Sequence, residues 1–122
     1  MATRTPTVTH SGDGSVITVV WSGLLNGDDG AAVAYERWAD RSIQVTGTFG
    51  AGGNMRWQGS NNAGASFIVL TDPQGTALNL GAGAIKAVSE ITELAQPLVT
   101  AGDGTTDLVV TAVMRRANPM RT

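Results

Sequence analysis

SIQVTGTFGAGGNMRWQGSNNAGASFIVLTD, running from Ser42 to Asp72, reads as three short strands separated by two glycine-rich turns. Ile43, Val45 and Phe49 alternate with Gln44, Thr46 and Thr48, the period-two pattern of a strand with one buried face. Gly50, Gly52 and Gly53 interrupt that run, after which Met55 and Trp57 alternate with Asn54, Arg56 and Gln58. The pattern predicts a hairpin whose two strands send large side chains into one core. Asn61, Asn62 and Gly64 supply a second turn, since Asn and Gly accept the positive φ that tight turns need, and Phe67 to Leu70 forms the third strand.

Working outward, SVITVVW at residues 15–21 is the most β-branched run. It is apolar on both faces, as in a strand buried within a sandwich or one whose outer face meets another subunit. GLLNGDDG, from Gly23, carries two turn signals and is expected to connect sheets. Ala32 to Trp38 reads as a strand of mixed pattern, at an edge or on a face with outside contacts. Asp72-Pro73-Gln74-Gly75 is a turn by residue chemistry, and Ala77 to Leu80 a short strand. Residues 84–93 permit helical spacing, yet Gly81 and Gly83 before them and Pro97 beyond favour strand or irregular backbone. Leu98 to Ala101, a GDGTT hairpin turn and Asp107 to Arg115 complete the pattern, with Leu108, Val110, Ala112 and Met114 alternating against Val109, Thr111 and Val113. The expectation is an all-β, antiparallel two-sheet sandwich of jelly-roll or Greek-key topology with about eight strands. Residues 15–116 would form the sandwich, 1–14 an extended N-terminal arm and 117–122 a C-terminal tail.

At 122 residues the chain fits one domain with a real core. No cysteine is present and histidine occurs once, so neither a disulfide framework nor a zinc ligand set is available, and no cofactor is expected. The net charge of −2 supplies no basic field for nucleic acid, and no stretch has the length and apolarity of a membrane span. Asp13-Gly14, Asp28-Asp29-Gly30 and the run from Asp103 to Asp107 lack the spaced carboxylates and terminal Glu of a calcium loop and read as turns. GAGG at 50–53 and GAG at 81–83 lack the order and context of a phosphate cradle. Glu36, Asp40, Glu90 and Glu93 are the available carboxylates for glycoside hydrolysis, but nothing pairs them across a cleft, and no enzyme is expected.

The candidate interface residues are the aromatic and basic ones that the core pattern does not absorb. Tyr35 and Trp38 form the best candidate for an exposed pair, with Arg37 and Arg41 beside them. His10 is read as solvated or as a contact to a neighbouring chain. Arg4 in the N-terminal segment, and Arg115, Arg116 and Arg121 towards the C-terminus, bring half of the eight basic residues to segments near the chain ends.

The order of the segments VITVVWSGLLNGDDGAA, IQVTGTFGAGGNMRWQGSNNAGASFIVLTDPQGTALNL and LAQPLVTAGDGTTDLVVTAVMRR resembles the small β-sandwich head decoration, or cement, proteins of tailed bacteriophages. The resemblance spans roughly residues 15–116 and is carried by VTGTFG, WQGSNN, LTDPQG and VTAGDGTT rather than by catalytic motifs. It implies a structural virion protein, bound to the outer capsid surface and bridging major capsid subunits. Its partners would be the major capsid protein and further copies of itself as a dimer or trimer, with no nucleic acid or membrane. The extended arms would add strands to, or fill grooves on, the shell. The alternative is a carbohydrate-binding or host-attachment sandwich module on the virion, which would stack sugars on exposed aromatics.

Overall fold

The computed structural model of the chain describes residues 2–34 and 38–116, which hold eleven strands and no helix. In chain order they are β1 (Thr3–Arg4), β2 (Thr7–His10), β3 (Val16–Leu24), β4 (Asp29–Gly30), β5 (Trp38–Thr48), β6 (Asn54–Ser60), β7 (Ile68–Val69), β8 (Asn79–Leu80), β9 (Ala84–Ala87), β10 (Leu94–Ala101) and β11 (Asp107–Arg116). Sheet A has the order β1-β4-β10-β6-β7, with β8 also on β6, and sheet B the order β2-β3-β11-β5-β9. From β3 onward the chain changes sheet at nearly every connection, and the last strand, β11, lies between β3 and β5 in sheet B. This is the jelly-roll arrangement, with β7 and β8 as two pieces of one interrupted strand beside β6.

The alternation seen in the sequence is the alternation of burial. Ile17, Val19 and Trp21 from β3, Ile43 and Val45 from β5, and Leu108, Val110, Ala112 and Met114 from β11 line the inner face of sheet B. Met55 and Trp57 from β6 and Val99 from β10 face them from sheet A. Trp21 and Trp57 meet edge to face across the sandwich, with ring centroids 5.6 Å apart and planes at 67°. The indole N–H of Trp21 donates to Ala31 O at 3.1 Å, which draws the β4 segment over its ring.

Two expected hairpins are instead crossings between the sheets. β5 pairs with β11 and β9, whereas β6 pairs with β10, β7 and β8, so the glycines at 50–53 carry the chain from sheet B to sheet A. The GDGTT turn carries it from β10 in sheet A to β11 in sheet B. Period-two alternation identifies which side chains are buried but does not distinguish a neighbouring strand from one across the core. The two crossings are tied together: Ala51 N donates to Asp103 Oδ2 at 2.9 Å and Thr106 Oγ1 donates to Phe49 O at 2.7 Å. The Thr105 hydroxyl, then the amides of Ala51 and Thr105, hold the Asp103 carboxyl down at about 2. The third turn, Asn61 to Gly64, does join the paired strands β6 and β7, though the latter is only two residues long. Residues 84–87 are strand, and the expected strand at Ala32 to Trp38 reduces among the described residues to a bridge between Val33 and Ala95 and the start of β5 at Trp38.

Within the segment read as an N-terminal arm, Thr3–Arg4 and Thr7–His10 are built into the two sheets. β1 lies parallel to β4 at the edge of sheet A, and β2 lies antiparallel to β3 at the edge of sheet B. All four residues of β2 are exposed, so its backbone pairing leaves no apolar period to find in the sequence. The anchor of β1 is Asp28, whose side chain is only 6% exposed. Its carboxylate accepts Ala2 N at 2.8 Å, Leu25 N at 3.0 Å, and Arg4 Nε and Nη2 at 3.1 and 2.9 Å. Burial by itself raises the Asp28 pKa; the Leu25 and Ala2 amides and the Arg4 guanidinium outweigh it and hold the group below 3.8. Arg4, a candidate interface residue, is therefore engaged within the chain.

Two outcomes are expected from these contacts. A Cβ at Gly30 would lie 2.6 Å from Trp21 Nε1 and 2.7 Å from Pro97 Cγ. Gly30→Ala should therefore cost about 1–3 kcal/mol in urea unfolding, while Gly104→Ala, whose added methyl meets nothing within 4 Å, should stay within about 0.5 kcal/mol of the parent. Asp28→Asn should destabilise by about 1.5–3 kcal/mol at neutral pH, the range for hydrogen bonds to a charged group. Because the folded pKa of Asp28 is lowered, its contribution is complete above the unfolded value of 3.8 and lost as pH falls through the folded value, so parent and variant should converge in acid. A constant gap from pH 7 to the acid limit would show that the charge is not what matters.

Candidate interaction surface

Strand register places the outer face of sheet B. Across it run the rows Thr7, Val20, Thr111, Gln44, Ile85 and Thr9, Thr18, Val113, Ser42, Ala87, flanked by Val109 with Thr46 and by Val16 with Arg115. Beyond Val109 and Thr46 the pair Asp107 and Thr48 continues the same face, so its charged residues are Asp107 at one end and Arg115 at the other. The side chains are short and mostly β-branched, and Ile85 is 66% exposed. The outer positions of β3 explain why its sequence is apolar on both faces: Val16, Thr18 and Val20 are half-buried on the side away from the core. Sheet A presents a different outer surface. There Thr3 donates to Asp29, Arg56 to Asn79, and Gln58 to Gln96, whose own amide donates to Gly30 O.

One end of sheet B gathers five of the nine candidate residues. His10 ends β2, Trp38 and Arg41 lie at the start of β5, and Arg115 and Arg116 end β11. Arg115 pairs with Ala39 and Arg116 with Trp38, while Arg116 N donates to Ser15 O at 2.8 Å. β5 holds an extra residue here, between Ala39 and Ser42, and Asp40 takes a left-handed φ of 47°. The bulge turns Trp38 towards the end of the core, where its ring lies 6.0 Å from that of His10 at 54°. His10 thus has an aromatic partner within its own chain. Arg41 is buried and donates from Nε to Trp38 O at 3.0 Å, which makes it a support of the bulge rather than a surface contact. Arg115 and Arg116 are exposed. Tyr35, Arg37 and Arg121 lie outside the described residues.

The remaining polar groups do local work. Asp13 accepts from Ser11 Oγ, Ser15 N and Ser15 Oγ in the β2–β3 turn, and these bonds, the Ser15 hydroxyl foremost, hold its pKa down at about 2. Asp72 accepts Gln74 N and Thr76 N in the turn before β8. Each aspartate thus organises a turn, as its sequence context suggests. Among the described residues no three His, Asp or Glu side chains gather as metal ligands. Trp21 and Trp57 are buried and Trp38 is half-buried, so none of the three indoles offers a bare platform.

A feature with no advance signal is a cleft of about 440 Å³ at the β6–β7 turn, lined by Gly59 to Asn62, Ser66, Ile68 to Leu70, Glu90 and Thr92. Glu90 accepts from both the amide and the hydroxyl of Thr71. Burial raises its pKa, and those two bonds, the hydroxyl first, more than reverse the effect and keep the carboxyl ionised. Glu93 accepts Ala63 N at 2.8 Å, so of these two carboxylates, which the sequence leaves unplaced, Glu93 braces the β6–β7 turn and Glu90 holds Thr71 beyond β7.

No family model and no curated protein matches the chain. Among solved structures it is similar to peruvianin-I, a cysteine peptidase from Thevetia peruviana latex, with 17% identity, 93% of this chain and 62% of that one covered, and a TM-score of 0.49. It is similar also to protein NMB1881 from Neisseria meningitidis, at 10% identity, 90% and 81% coverage and a TM-score of 0.43. A third is HppE with cobalt(II) and Tris, at 16% identity, 89% and 51% coverage and a TM-score of 0.42. The chain spans less than two thirds of the first and third of these, and at such scores none bears on its activity.

Proposed function

We propose that the chain is a non-enzymatic structural virion protein, a head decoration protein that seats the outer face of sheet B on the outside of a phage capsid and bridges major capsid subunits. The observation that supports this reading is the Val and Thr centre of the sheet B face, whose charged groups Asp107 and Arg115 stand at its two ends. Interface centres are depleted of charge, and a broad face with no Lys, Glu or Asp in its central rows has little there to hold water against a partner. With strands about 4.8 Å apart, five of them present a face roughly 20 Å wide, suited to a shallow seat on a shell. The segment resemblance to decoration proteins supports the same reading. Repeated contacts on the lattice make each weak seat effective, and association as a dimer or trimer would add to this.

The test uses purified heads from which the protein has been stripped. Val20→Glu and Thr111→Lys each put a charge at the centre of the face without touching the core, so unfolding should change by no more than about 0.5 kcal/mol. Retention on heads after washing should fall at least tenfold, since about 1.4 kcal/mol of lost contact is sufficient. Unchanged retention of the double variant would assign binding to another surface.

A further inference from the structure

We propose that the cleft at the β6–β7 turn binds a neutral saccharide unit. Its volume of about 440 Å³ is that of a small-ligand site, and its lining divides into an aliphatic part, Ile68 to Leu70, and a polar part. Ile68 is 66% exposed despite its size, and is the apolar surface that a ligand would cover.

The hydrogen-bond inventory selects the ligand class. Each Glu90 oxygen takes one bond from Thr71, which leaves lone pairs on an ionised carboxylate that accepts about four. Asn61 Oδ1 accepts Glu93 N at 2.8 Å, which fixes the amide orientation, and among the described residues its NH₂ group donates to nothing. Ser66 Oγ accepts from Asn62 Nδ2 at 2.9 Å and keeps its own O–H to donate. The cleft thus offers spare acceptors at Glu90 and spare donors at Asn61 and Ser66 beside an aliphatic surface. Vicinal hydroxyls both donate and accept, and a sugar ring carries them on its edge while presenting C–H groups from its face. An alkylammonium ion would satisfy only Glu90, leaving Asn61 and Ser66 facing an apolar chain. A phosphate or carboxylate would meet the negative charge of Glu90. This site is independent of the sheet B face, and its recognition would be polar and aliphatic rather than by aromatic stacking.

Titrating the isotope-labelled full chain with the methyl glycosides of glucose, galactose and N-acetylglucosamine, and separately with butylammonium and inorganic phosphate, tests the assignment. At least one glycoside should produce saturable amide shifts confined to residues 59–68 and 89–93. Ser66→Ala, with unchanged melting, should weaken that response at least threefold, and Glu90→Gln at least tenfold. Glu90→Gln also weakens the hold on Thr71, so Ser66→Ala carries the test if that variant melts lower. Absence of shifts with all three glycosides, saturation by butylammonium or phosphate instead, or an unaltered response in Ser66→Ala would overturn the proposal. Loss of binding to heads would leave it untouched, since that result speaks to the other surface.

Discussion

The edge-to-face contact of Trp21 with Trp57 is the point at which the two sheets of this sandwich are locked together. Each ring comes from a different sheet, and both are among the largest fully buried side chains. Around that contact little can change. Gly30 has no room for a side chain because it lies on the Trp21 ring, and Pro97 closes the same space from β10. The Trp21 N–H is satisfied by Ala31, whereas Trp57 Nε1 is buried without an acceptor among the described residues. An unmet buried donor costs about 1–3 kcal/mol, which the packing of a ring with 1% exposure offsets. Trp57 is held there by fit, not by a polar handle.

The fold class was legible in the sequence because inward-facing residues alternate so regularly in β5, β6 and β11. Ile43, Val45, Met55, Trp57, Leu108, Val110, Ala112 and Met114 are all buried as their spacing requires. Sheet membership was not legible. The turns after Thr48 and Ala101 have the Gly and Asp content of hairpins, yet they span the core, and only long-range pairing determines which. The N-terminal strands escaped notice for a different reason: Thr7 to His10 bury no side chain, and their order comes from backbone pairing and from a buried carboxylate on another loop. Of the candidate interface residues, the gathering of His10, Trp38, Arg115 and Arg116 depends on strand order and on a bulge at Asp40, and no local pattern announces either. The cleft depends on Glu90 meeting Thr71 across nineteen residues, so it too was invisible in one dimension.

The two outer surfaces follow different physical rules. Sheet A is laced with hydrogen bonds among polar side chains: Thr3 with Asp29, Arg56 with Asn79 and, buried, Gln58 with Gln96. The central rows of sheet B hold few polar groups beyond hydroxyls and Gln44, with Asp107 and Arg115 at the ends, so exposure gains its centre little hydration.

The position of β11 has a consequence for how the chain is made. It is the last described strand to be synthesised, yet it lies at the centre of sheet B, where residues 107–116 pair with β3 on one side and β5 on the other. Until it has cleared the ribosome, β3 and β5 lack the neighbour between them, and their apolar faces have no completed sheet to join. Folding of this half of the molecule therefore waits for β11 and is slow for its size, because its central contacts join residues about a hundred positions apart, such as Val16 and Arg115. A nascent chain in that state carries unpaired strand edges and exposed apolar surface, the features that make a folding intermediate prone to aggregate.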